Sequence, residues 1–130
     1  MARILVIDDD AVFRASLRGL LEGTGHSVVA PAWVEELRQL RRENFDLAIC
    51  DLRTPGSDGL DALDEIMRTF PDTPIIATAG RAALGSRAEA AQSERSLRVA
   101  RERGADYALL KPFDIEEFLA LVRDSVAQPV

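Results

Sequence analysis

Ile4-Leu5-Val6-Ile7-Asp8-Asp9-Asp10 sets four apolar residues directly against three carboxylates. The apolar run has no polar alternation, so both of its faces need cover. That pattern suits a parallel strand inside a sheet. Working outward, the pattern returns along the chain. Ser27-Val28-Val29-Ala30 ends at Pro31, and Leu47-Ala48-Ile49-Cys50 ends at Asp51. Pro74-Ile75-Ile76-Ala77 ends at Thr78, and Tyr107-Ala108-Leu109-Leu110 ends at Lys111. Helical patterns separate the runs. Alternating strand and helix predicts βαβ units, right-handed crossovers and a parallel sheet, hence an α/β fold.

Residues 11–22 place Phe13, Leu17, Leu20 and Leu21 on one helical face, with Asp10 as N-cap and Gly23 and Gly25 as the stop. Residues 34–43 carry Val34, Leu37 and Leu40 at three-residue spacing, and residues 59–69 carry Leu60, Leu63, Ile66 and Met67. Residues 114–127 open on Asp114, with Glu117 at capping-box spacing, and carry Ile115, Phe118, Leu119, Val122 and Val126. Ala79 to Gly85 reads as a loop. Ser86-Arg87-Ala88-Glu89 then opens a helix that runs to Arg103 and stops at Gly104. Its apolar positions, Ala91, Leu97, Val99 and Ala100, are weak. Its first half has little to bury, so this stretch is expected to be mobile or ordered by a partner.

The chain has 130 residues, 47% apolar and 29% charged, which excludes intrinsic disorder and allows one domain. No apolar run approaches the roughly 20 residues of a membrane span. The N-terminal stretch lacks the long apolar region and cleavage site of a signal peptide. A single cysteine, Cys50, excludes an internal disulfide and a cysteine zinc site. A reducing cytoplasm is the natural setting. The net charge of −6 argues against nonspecific nucleic-acid binding. Residues 81–103 run against the trend, with six Arg and three Glu. The basic residues are 15 Arg and one Lys, which draws notice to Lys111 before any motif is considered.

Asp8, Asp51, Thr78 and Lys111 each stand just past an apolar run. In a parallel sheet all strand C-termini lie along one edge, where ligands of open α/β sheets bind. Four distant segments thus deliver polar groups to one rim. Asp8, Asp9 and Asp51 would put carboxylates within a few ångströms of one another, and like charges that close repel. A divalent cation relieves the repulsion. Oxygen ligands with no His or Cys nearby select a hard ion, Mg²⁺ above all. Beside it, Lys111 and Thr78 would neutralise and hydrogen-bond phosphoryl oxygens while a carboxylate attacks in line.

ILVIDDD at 4–10, LAICDLRTPGSDGL at 47–60, PIIATAG at 74–80 and GADYALLKPF at 104–113 follow one another in order, with strand and helix patterns between them. On these segments the chain resembles the receiver domain of the two-component response-regulator family over essentially its whole length. One domain of residues 1–127 with a tail at 128–130 is expected. The resemblance implies a flavodoxin-like three-layer sandwich, a five-stranded parallel sheet of order 2-1-3-4-5 with helices on both faces. It implies that Asp51 is the phosphoacceptor, fed by a histidine kinase or phosphotransfer protein. Asp9 and Asp51 would bind Mg²⁺ directly, Asp8 mainly through water, and the Arg53 carbonyl would be a further ligand. Thr78 would hydrogen-bond the phosphoryl group, Lys111 would pair with it, and Lys111–Pro112 would be a cis peptide. The implied product is a regulatory signalling module that acts by protein contacts, without membrane or direct nucleic-acid binding.

The sequence departs from the family pattern in three places. The family has Tyr or Phe three residues before the Lys, as a rotating switch; that position here is Ala108. Tyr107 is one residue off, which in a strand means the opposite face. The stretch from Thr78 to Lys111 is longer than the family pattern by about ten residues, close to three helical turns. The excess lies within 80–103, which normally reads out phosphorylation. No effector domain follows in these residues.

Blander readings stand beside these. Thr78 alone would be an ordinary strand-end residue, and Arg53 a loop residue facing solvent. Cys50 reads as buried and inert, His26, Asp58, Asp72 and Asp106 as turn residues, and Trp33 as a helix-start packing residue. The Arg-rich stretch reads as a solvated helix face. Two other functions fit parts of the pattern. Asp8-Asp9-Asp10-Ala11-Val12 also matches the D-x-D-x-[TV] nucleophile motif of haloacid-dehalogenase-like phosphatases, though that family needs no Asp51 loop. A pseudo-receiver, binding or dimerising independently of phosphorylation, would fit Ala108 and the long 80–103 stretch.

Overall fold

The computed structural model describes residues 1–32, 34–52, 60–80 and 87–126. Five strands are described: β1 Arg3–Ile7, β2 Ser27–Val29, β3 Leu47–Asp51, β4 Ile75–Gly80 and β5 Tyr107–Lys111. The helices are α1 Ala11–Gly23, α2 Asp61–Thr69, α3 Arg87–Arg103 and α4 Ile115–Val126, with a 3₁₀ helix over Val34–Leu40. All strand pairs are parallel, in the order β2-β1-β3-β4-β5. This is the flavodoxin-like order expected from the sequence.

The strands' two-residue period divides the core. Leu5, Ile7, Ala48, Cys50 and Ala77 face one side, against Leu37 of the 3₁₀ helix, Leu63 and Ile66 of α2, and Leu97 and Ala100 of α3. Ile4, Val6, Leu47, Ile49, Ile76 and Leu109 face the other, against Leu17 and Leu21 of α1 and Phe118 and Val122 of α4. Three layers result. Each fully buried Leu, Ile or Phe contributes about 1.5–3 kcal/mol.

Two elements differ from the sequence reading. Residues 34–43 were expected to form an α-helix, but Val34–Leu40 winds as 3₁₀. Leu37 and Leu40 are three apart, and a 3.0-residue turn stacks them on the side that meets the core. Thr78 was expected just past its strand, but β4 continues to Gly80, because Ala79 and Gly80 still pair with Leu110 and Lys111.

Helix ends follow the sequence more closely. Asp10 caps α1, its Oδ1 accepting the N–H groups of Val12 at 3.0 Å and Phe13 at 3.1 Å. Gly104 takes φ +131 and donates its N–H to the Ala100 carbonyl at 3.1 Å, ending α3. A side chain there would be strained. His26 Nδ1 accepts the Ala2 N–H at 3.1 Å, and Asp106 Oδ2 accepts the Ile75 N–H at 2.8 Å. Trp33 and Asp58 lie outside the described residues. No helix among the described residues is long and apolar enough to cross a membrane.

Candidate functional site

The alternation that builds the core also aims the polar groups. Asp51 is the next same-face residue after Ile49, Thr78 after Ile76, and Lys111 after Leu109; Asp8 continues the parity of Ile4 and Val6. All of those apolar residues face α1 and α4. Asp51 and Thr78 are register partners on adjacent strands, and the Thr78 carbonyl also accepts the Leu52 N–H at 2.7 Å.

Asp8, Asp51 and Thr78 are buried, while Asp9 is exposed. The Lys111 ammonium donates to Asp8 Oδ2 at 2.7 Å and lies 3.6 Å from Asp51 Oδ1. Thr78 Oγ1 donates to Asp51 Oδ1 at 3.5 Å. The Asp10 N–H donates to Asp8 Oδ1 at 2.9 Å, and Arg14 Nη1 donates to the Asp8 carbonyl at 2.8 Å. Asp8, Asp9 and Asp51 each offer a carboxylate oxygen, and these lie within 4.8 Å of one another. Two such charges repel by about 3–4 kcal/mol at an effective dielectric near 20. Three carboxylates against one ammonium leave a net −2. An oxygen-only donor set of that charge fits a hard divalent cation.

Cys50 points to the other side of β3. Its thiol is pushed far up, first by burial and then by the charges of Asp51 and Asp8. It is an inert core group. Ala108 also faces away from the acids, packing on the α3 side, while Tyr107 packs on the α1 and α4 side. On that side β5 lies against α3, and Ala108 offers it a methyl group.

The structure brings together Asp8, Asp9, Asp51, Thr78 and Lys111. Arg53 lies outside the described residues. Arg14, which anchors the Asp8 carbonyl, was not singled out from the sequence, and nothing in a single sequence marks it. Phe13 was read as one of the apolar positions of α1, yet its ring lies under the Lys111 ammonium, 3.6 Å from Nζ to the centroid. Asp10, the second acid of the phosphatase-type motif, serves as the cap of α1.

The model of the response regulator receiver domain matches residues 4–123. The chain belongs to this family. Response regulator MprA of Mycobacterium leprae (strain TN) is 35% identical over 122 residues, covering 93% of this chain and 49% of that protein. The receiver domain thus spans about half the length of the curated relatives it matches. Among solved structures, the receiver domain of NtrX from Brucella abortus matches with TM-score 0.78 at 25% identity, over 97% of this chain and 99% of that one. A CheY-like receiver domain protein from Methanospirillum hungatei JF-1 gives TM-score 0.72 at 27% identity, over 97% of this chain and 94% of that one. This receiver domain is accordingly a regulatory module of the two-component class, with an acidic cluster at the C-terminal edge of its sheet.

Proposed function

We propose that residues 1–127 form one receiver domain that accepts a phosphoryl group on Asp51 from a histidine kinase or phosphotransfer protein, in the cytoplasm. One Asp51 oxygen forms the new P–O bond as the donor's bond to phosphorus breaks, and the donor keeps that electron pair. Thr78 donates its hydroxyl to a phosphoryl oxygen, and the Lys111 ammonium pairs with another. Asp9 and Asp51 would hold Mg²⁺ directly and Asp8 mainly through water, with the Arg53 carbonyl as a further ligand. That ion would supply charge neutralisation at the phosphoryl oxygens. Beyond gaining and losing its own phosphoryl group the domain would catalyse nothing, and it would signal by protein contacts, with 80–103 the candidate surface.

The observation that carries this reading is the meeting of Asp8, Asp9, Asp51, Thr78 and Lys111 at one rim. Intact mass after incubation with acetyl phosphate and Mg²⁺ tests it. A single phosphoryl adduct is expected on the wild type and none on Asp51→Ala. No adduct on the wild type, or an equal one on the variant, overturns the assignment.

A second reading is favoured by Ala108. With a methyl at the switch position, output would be carried by constitutive binding, as in a pseudo-receiver. Partner affinity that is unchanged by phosphodonor would select it.

A further inference from the structure

The Lys111 ammonium sits between two carboxylates on a flexible four-carbon stem. Charge alone does not fix such a stem, because an ammonium is a point donor with three rotatable hydrogens. Here a third contact is present. Nζ lies 3.6 Å from the Phe13 ring centroid, within cation–π range of the negative ring face. The ring is itself held. Phe113 meets it edge-on, with centroids 6.0 Å apart at 84°. Phe113 in turn stacks on Phe118 at 5.0 Å and 24°, and Phe118 is fully buried. The cap by Asp10 fixes the Phe13 N–H from the other side. Three rings thus run from the interior of α4 to the lysine.

We propose that Phe13 is a positioning residue for Lys111. Its ring face forms one wall of the ammonium's place and keeps the charge on the Asp8–Asp51 side. An aliphatic residue would fill the same volume in the α1 stripe but would offer no quadrupole. The consequence for phosphoryl uptake rests on the proposed function; the placement itself does not. Where Asp51 is the acceptor, Lys111 must lie within reach of the incoming oxygens, and a ring that limits its wandering shortens the search. Phe13→Leu should slow uptake from acetyl phosphate by about threefold to tenfold, the range expected for one partly buried cation–π contact. Phe13→Tyr keeps a ring face and should restore uptake.

The chain has one lysine, so selective ¹³C-lysine labelling reports Lys111 alone by NMR. In the wild type its ε-methylene protons should lie upfield of free lysine, shifted by the ring below. The shift should vanish in Phe13→Leu and persist in Phe13→Tyr and in Asp51→Asn. Wild-type ε protons at the free-lysine position overturn the proposal, as does an unchanged shift in Phe13→Leu. The wild-type spectrum decides even where a variant fails to fold. One result separates the two claims: ring-shifted protons in a wild type that gains no phosphoryl adduct would sink the phosphoacceptor reading and leave the placement of Lys111 standing.

Discussion

Asp10 illustrates how one side chain serves both scaffold and site. Its carboxylate caps α1 through the N–H groups of Val12 and Phe13, and its own N–H donates to Asp8. Asp10→Ala should cost about 1 kcal/mol in denaturant unfolding. Asp10→Asn, which still caps, should cost less. The meeting of Asp8, Asp51 and Lys111 was legible because strand parity is simple: a polar group that follows a buried same-face residue at a strand's end lies at the sheet's edge. Phe13 was not legible. A ring in an apolar helical stripe looks the same whether it fills core or underlies a cation.

Among the elements, α3 carries the sharpest contrast along its length. Leu97 and Ala100 are buried in its second half, and Arg103 makes a two-oxygen contact with Asp64 of α2 at 3.2 and 3.0 Å. Toward its start, a hydroxyl does the anchoring: Ser93 Oγ donates to the Gly80 carbonyl at 2.7 Å. Amide exchange across Ala91–Glu94 should therefore be faster than across Leu97–Arg103, because side-chain burial sets local opening. Equal protection in both halves would contradict this. Leu97→Ala should cost about 2–5 kcal/mol. The strands were legible element by element, since short unbroken apolar runs admit few alternatives. The 3₁₀ helix was not, because three-residue spacing of Leu37 and Leu40 also satisfies one face of an α-helix.

At the scale of the whole molecule, the clustering of Asp8, Asp9 and Asp51 makes stability the place to test for a divalent ion. Mg²⁺ that binds only the folded chain should raise the melting temperature over EDTA, adding about 2.7 kcal/mol of unfolding free energy when the ion is at a hundred times its dissociation constant. Asp9→Asn removes one of the three carboxylates. It should melt higher than the wild type in EDTA and lose most of the gain with Mg²⁺. A Mg²⁺ response retained in full by that variant would place the ion elsewhere. The parallel sheet was legible from the alternation of strands and helices and its strand order from the family resemblance, whereas the packing of Ala108 against α3 needed coordinates to see.

The odd–even alternation that sorts oily from reactive groups on β3, β4 and β5 also limits which length changes the protein tolerates. Deleting one residue between Tyr107 and Lys111 would put the two on opposite faces of β5, turning Lys111 toward α3 where Tyr107 keeps its place. Adding ten residues between the strands leaves every facing intact. Length variation is thus permitted in the connections and forbidden in the ladders.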